Sequence, residues 1–252
     1  YVKFDMQGEK VNKLNRDAFL ELSDVIDELE KKINIEWVLF DSSKAGIFIA
    51  GADIKELESV QTFEDGQALI QRGHDLFNRL ASLKAKTVAL IDGVALGGGL
   101  EFALACDFIV VTDSDKVKLG LPEVNLGIIP GWGGTQRLPR RMGLIHGVDH
   151  IVSGKIVTGK KALTLGLADA MVPSDFKHDA LMGLIRQKKL KRRLRKRSIL
   201  EKVPGFKFFV CRKAKQAIIK KTKGLYPAPI KALDVVSQTY SGSLQKGLAV
   251  EI

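Results

Sequence analysis

Cysteine is nearly absent. Cys106 and Cys211 are the only two in 252 residues, so a disulfide framework is excluded and no zinc-type cysteine spacing exists. A reducing setting is expected, with Cys106, set among apolar neighbours, as a buried and inert thiol. Histidine is equally scarce at four residues. His146 and His150 share a helix face, but no third ligand accompanies them and Asp149 points elsewhere. His74 and His178 stand alone and read as surface residues, and no metal site is expected. Long uncharged runs are also lacking. The longest apolar stretch, Val88–Val111, is broken by Asp92, Glu101 and Asp107, which rules it out as a membrane span. No secretory signal is visible, but the chain opens on Tyr1 rather than Met. The start therefore reads as incomplete and carries no weight on compartment.

Acid is missing from one region. Between Arg186 and Lys223, Glu201 is the lone carboxylate among many lysines and arginines, so the net charge of +11 resides there and the remaining body is mildly acidic. What the chain has in quantity is apolar residues, 45%, enough for a core in one large domain.

Phe19, Leu22, Val25/Ile26, Leu29 and Ile33 recur at helical spacing behind Asn15, a candidate cap, which predicts a helix over about 16–32. Trp37–Phe40 and Ile47–Ala50 read as short strands. Thr62 and Asp65 make a capping box for a helix over 64–83. Val88–Ile91 is a strand, Gly97–Ala105 opens a helix, and Phe108–Val111 is the next strand. Thr158 caps a short helix that ends at Gly166. Strands alternating with helices define an α/β domain. From Lys177 the pattern turns helical and basic, which divides the chain into a core over 1–175 and a helical region over 176–252.

Three segments carry chemistry. In "ALGGGLEFALACD" (Ala95–Asp107), Gly97, Gly98 and Gly99 sit between a strand and a helix. A glycine-rich turn allows close approach to the first N–H groups of a helix, which lack intrahelical partners. Neither G-x-G-x-x-G nor G-K-[ST] is present, so phosphate cradles of those two kinds are disfavoured. The turn is either a packing device or a donor to a developing oxyanion. Glu101 lies in an otherwise apolar run; it either faces solvent in the first helical turn or is buried for a purpose. "GIFIAGADIKEL" (Gly46–Leu57) is a strand running into Gly51-Ala52-Asp53, where the small Ala52 lets its own N–H face a ligand. "LGLPEVNLGIIPGWGGTQRLPR" (Leu119–Arg140) holds a second carboxylate, Glu123, behind Pro122, and a second glycine cluster from Gly131.

These strings, IAGADI, ALGGGLE, GLPEV-x-LG and IPG-x-GGTQRLPR, resemble in this order the crotonase (enoyl-CoA hydratase/isomerase) superfamily. "GEKVNKLN" near the start, a longer stretch between the two glutamates, and "KTKGLYPAPIKALDVV" (Lys221–Val236) are similar to the hydratase region of the large multifunctional fatty-acid-oxidation α subunits. The resemblance implies a spiral of ββα units with a helical C-terminal region. It also implies an enoyl-CoA hydratase that adds water across the C2=C3 bond of 2-trans-enoyl-CoA, with 3-enoyl-CoA isomerisation as a second activity.

By motif position, the N–H groups of Ala52 and Gly98 would form the oxyanion hole. Glu123 would supply the C2 proton, and Glu101 would hold and activate water. Coenzyme A would lie along Ala50, Gly51, Ala52, Asp53 and Ile54, with Gly97, Pro122, Gly131 and Trp132 also at the substrate and Lys13 and Lys55 as candidate phosphate partners. Trp132 either narrows the acyl pocket or packs against neighbouring helices. No cofactor beyond substrate CoA is implied for this region; NAD would belong to a 3-hydroxyacyl-CoA dehydrogenase part expected to follow Ile252. A thiolase β subunit is the implied partner in the full complex. Bacterial cytoplasm is the expected compartment, with the mitochondrial matrix as alternative.

The basic segment, "RQKKLKRRLRKR" (Arg186–Arg197) and "FKFFVCRKAKQAIIKKTK" (Phe206–Lys223), reads as a solvated face, as contact with anionic lipid, or, least favoured, as contact with nucleic acid. A non-catalytic basic module that binds membrane or RNA is the rival reading, and the joint presence of Glu101 and Glu123 argues against it.

Overall fold

Three of the predicted strands run one or two residues beyond their periodic cores, and the chain adds several of only three residues. The computed structural model describes residues 1–193, 201, 203 and 205–252, so positions 194–197 of the basic stretch lie outside the described residues. The first elements are β1 (Val2–Phe4), α1 (Arg16–Lys31), β2 (Trp37–Ser42), β3 (Ile47–Ile49), α2 (Ile54–Glu58) and α3 (Phe63–Ala81). They are followed by β4 (Lys86–Ile91), β5 (Val94–Leu96), α4 (Gly98–Ala105), β6 (Phe108–Thr112) and β7 (Lys118–Gly120). A 3-10 turn over Glu123–Leu126 leads to α5 (Gly134–Met142), α6 (Leu144–Ser153), β8 (Ile156–Thr158), α7 (Gly159–Leu165) and β9 (Ala170–Val172). Four further helices are α8 (Lys177–Arg186), α9 (Phe206–Thr222), α10 (Ala228–Thr239) and α11 (Leu244–Glu251).

The strands form two sheets, ordered β1-β2-β4-β6-β9 and β3-β5-β7-β8. Pairing is parallel throughout, apart from antiparallel β7 and β8. Twice the chain leaves the large sheet for the small one and returns through helix, by β2, β3 and α2–α3 and then by β4, β5 and α4. The third turn, β6 and β7, passes through the 3-10 turn, α5 and α6 to β8 before α7 leads back to β9. This is the expected spiral of ββα units. A parallel sheet covered on both faces needs continuous apolar strands rather than alternating ones, and β4 and β6 are buried at every position except Lys86 and the half-buried Phe108.

Local chemistry explains the ends of the helices. Asn15 accepts the Ala18 N–H at the start of α1, and Thr62 with Asp65 forms the reciprocal capping box of α3. Thr158 caps α7, which stops at Gly166 in the left-handed conformation. Helix α4 differs in kind. All eight of its residues are buried, so it runs through the core, hydrophobic all round, instead of lying on it. Phe4, Phe40, Phe48 and Phe77 surround its Phe102 in largely edge-on contacts. The opposite face of the large sheet, with Leu39, Val88, Leu90 and Val110, is covered by Leu181 of α8 and its neighbours.

The main core continues without a break into α9 and α10 through Cys211, Ile218, Ala232, Leu233 and Val236. On α9, Phe206, Val210 and Ala214 pack inward, whereas Phe208 and Phe209 are exposed beside lysines. No helix among the described residues is long and apolar enough to cross a membrane.

Candidate active site

The polypeptide reaches the site through a parallel bridge between Leu14 and Ala52. Gly51 C=O accepts the Leu14 N–H at 2.8 Å, and the Asp53 N–H donates to Leu14 C=O at 3.0 Å. Successive peptides of an extended strand point to opposite sides. The N–H of Ala52, between those two bonded groups, is therefore turned away from Leu14. Gly97 brings a second donor to the same place. With φ of +52° and ψ of −127° it adopts backbone that side chains resist, and its carbonyl takes the N–H groups of Leu100 and Glu101 at 2.9 and 3.0 Å. That starts α4 at Gly98, whose own N–H has no acceptor one turn back. A Cβ at Gly97 would sit 3.8 Å from Gly51 Cα and 3.2 Å from Glu123 Oε1, so the two donor segments and one carboxylate converge on this turn.

They line a cavity of about 340 Å³. Ala50, Gly51, Ala52, Ile54, Gly97, Gly98, Glu101, Pro122, Glu123, Gly131 and Trp132 all face it, and Leu57, Val60, Leu69, Ile70, Leu126, Ile128 and Ile129 add apolar wall. Asp53 and the two lysines expected at the phosphates, Lys13 and Lys55, do not; for Asp53 the reason is local. Its carboxylate caps α2 by accepting the Lys55 N–H and pairs with Lys13 Nζ at 3.0 Å, which holds it below the usual carboxylate range. Lys13 is engaged there and with Glu9 at 3.2 Å, while Lys55 is exposed.

Glu101 is only 2% exposed, so the reading in which it faces solvent is excluded. One of its oxygens accepts the N–H groups of Trp132 at 2.8 Å and Gly134 at 2.7 Å. Glu123 is buried too, and its Oε2 has no hydrogen-bond partner among the described residues. Burial pushes Glu123 up to about 7, with a further push from the negative charge of Glu251. Burial also raises Glu101 well above the ordinary value, and the charges of Glu123 and Glu251 add to it; the two backbone N–H groups oppose the rise. Two buried carboxyls at one cavity bind a proton as a unit.

Trp132 both lines the cavity and packs against helices. Its indole lies against Gly73 of α3 and Gly98 of α4, where added Cβ atoms would fall 2.1 and 2.3 Å from the ring. It meets Phe19 and Phe77 edge-on and donates Nε1–H to Leu69 C=O at 3.3 Å. Trp132→Ala is accordingly expected to cost about 3–5 kcal/mol of unfolding free energy, to be read as a lower urea midpoint at unchanged slope; an unmoved midpoint would contradict the packing role.

Two residues were not anticipated. His74 is 2% exposed, not on the surface; its Nε2 lies 3.0 Å from Glu251 Oε1. Glu251, near the end of α11, is a third buried carboxylate, and the N–H of Gly133 and the hydroxyl of Thr135 also donate to it. Its one sequence signal is periodicity: Gly247, Leu248 and Glu251 share the buried face of α11. His178 contacts Asp41 at 2.8 Å. His150 donates its Nδ1–H to the His146 carbonyl, and no group of three metal-ligand side chains occurs among the described residues. Cys106 is buried, and burial raises its thiol well above the usual range.

Residues 1–202 match the family model described as enoyl-CoA hydratase/isomerase. The chain is 40% identical over 252 residues to a fatty acid oxidation complex subunit alpha of Shewanella amazonensis, covering 98% of this chain and 36% of that one. It is 41% identical over 252 residues to the protein of the same name from Shewanella loihica, with the same coverage. It thus spans about a third of the length of these relatives. Among solved structures, an enoyl-CoA hydratase from Bacillus anthracis superposes with a TM-score of 0.65 at 26% identity, over 99% of this chain and 82% of that one.

Proposed function

Since the chain belongs to the enoyl-CoA hydratase/isomerase family, we propose that this cavity hydrates 2-enoyl-CoA thioesters, with the Ala52 and Gly98 N–H groups on the thioester oxygen and Glu101 and Glu123 on the water and the C2 proton. The observation that carries this reading is the placing of two buried carboxyl groups in one apolar cavity beside two convergent N–H donors. A binding module would gain nothing from burying both carboxyls.

The chemistry follows from where charge grows. As the oxygen of water bonds to C3, electron density moves through C2 onto the thioester oxygen. Donors fixed in advance stabilise that enolate charge more than the neutral carbonyl, aided by the positive end of α4. Glu101 takes the proton that water loses, and Glu123 delivers its own proton to C2. The pair therefore holds one proton before and after, and the product is 3-hydroxyacyl-CoA. Isomerisation of a 3-enoyl-CoA would use the same enolate, with proton removal at C2 and return at C4.

The direct test is loss of the enoyl absorbance of crotonyl-CoA, with recovery of 3-hydroxybutyryl-CoA; no turnover with short or long enoyl-CoA sinks the reading. The pH profile tests the roles. Glu123 acts while protonated and its carboxyl is pushed up to about 7, so kcat/KM falls as pH rises through about that value. Because Glu101 acts ionised and burial raises it too, kcat/KM also falls on the acid side. A flat profile from about pH 6 to about pH 9 would remove Glu123 as the acid. The name borne by the relatives, subunit alpha of a fatty acid oxidation complex, supports a wider setting in a longer chain; the NAD-holding part and the thiolase partner implied by the motif resemblance would belong to that setting. A dinucleotide-binding fingerprint beyond Ile252 would support that setting, and its absence from the continuing sequence would count against it.

A further inference from the structure

Three carboxylates are buried in this part of the fold, and the hydration chemistry uses two of them. Glu251 enters from α11, the helix farthest along the chain. It is 3% exposed, and every donor around it belongs to the site's own scaffold. Its Oε1 accepts the Gly133 N–H and lies 3.0 Å from His74 Nε2, and its Oε2 accepts the Thr135 hydroxyl. The neighbouring N–H groups in sequence, those of Trp132 and Gly134, go to Glu101. Three successive peptides are thus held by two carboxylates in alternation.

The fit leaves little slack. A Cβ on Gly247 of α11 would fall 2.0 Å from Gln136 Oε1 of α5, so the Gln136 side chain packs directly on the α11 backbone there. On the other side Arg137 donates to the Trp132 carbonyl at 3.1 Å and to Asn78 Oδ1 at 2.8 Å.

We propose that Glu251 is a positioning residue: it fixes the Trp132–Gly134 backbone so that two N–H groups point at Glu101, and it places a fixed negative charge behind the catalytic pair. This rests on the reading that Glu101 handles the attacking water. The groups facing Glu251 are His74 on α3, Glu101 on α4, Thr135 and Arg137 on α5, and Glu123 on the 3-10 turn. Arg137 offsets its charge, and the two glutamates feel it as repulsion that favours a shared proton.

Two variants separate holding from charge. Glu251→Ala removes the acceptor of a buried N–H, and Glu101 then loses its aim. The expected result is a fall in kcat of about 10- to 100-fold at nearly constant KM. Glu251→Gln keeps the shape and an acceptor for Gly133 while removing the charge. It is expected to restore most of that kcat, yet to move the alkaline limb of kcat/KM down by about 0.5–1 pH unit, because Glu123 ionises more easily without the neighbouring charge. A purely structural residue would lower the melting temperature and leave the limb in place. A folded Ala variant with parental kcat overturns the role; should that variant not fold, an unmoved limb in the Gln variant overturns it alone. A parent chain that hydrates no enoyl-CoA overturns the underlying reading together with this role, whereas an active parent with unaltered variants overturns this role only.

Discussion

Glu123→Gln is expected to lower kcat for crotonyl-CoA hydration by about 10²–10⁴-fold while CoA binding survives. The substitution is close to isosteric, and it alters a group whose buried Oε2 has no hydrogen-bond partner among the described residues. A buried polar atom left alone is costly unless something completes it, and the proposed role of Glu123 gives that oxygen its use. An amide in its place cannot hand a proton to C2. The thioester still finds the N–H groups of Ala52 and Gly98, so binding, read by displacement of a fluorescent CoA analogue, should change little. The loss therefore belongs in kcat and not in KM. Parental kcat in the variant would remove Glu123 from the chemistry, and lost binding with unchanged kcat would recast it as a substrate contact.

The part of this site that the sequence made legible was local. Gly97–Gly99 ahead of an apolar run announced a helix that begins inside the core, and Glu101 within "LEFALA" could be either exposed or buried until α4 was seen to have no exposed side. The Asn15 cap, the Thr62–Asp65 capping box, the three central strands of the large sheet and the Gly166 stop were likewise set by residues within a few positions of one another. Pairings across the fold were not legible. Glu251 meets Gly133 across 118 positions, and nothing around "LAVEI" names its partner. His74 meets the same carboxylate from across 177 positions. Trp132 left two readings open because its neighbours, Gly73 and Gly98, matter for side chains they lack. Strands such as β5, β7 and β8, three residues each, are too short for any period to register, so the second sheet emerged only with its partners in place.

Glu101→Gln should cost kcat a similar factor, about 10²–10⁴, but for a different reason, and the double variant separates the two. The amide oxygen of the substituted residue can still accept from Trp132 and Gly134, so the loop and the water site stay formed. What is lost is the negative charge that draws a proton from water as its oxygen bonds to C3. If Glu101 and Glu123 act on one water in one step, removing either already stops that step, and the double variant should be barely slower than the worse single one. Independent groups would multiply, giving a combined loss of about 10⁴–10⁸. The rate that remains should still exceed that of water alone, because two backbone N–H groups persist and each is worth about 10²–10³. Stopped-flow or long-time assays with crotonyl-CoA on all three variants measure these terms. Multiplicative losses would show that the two buried carboxyls do not share the proton that the cavity is built to hold.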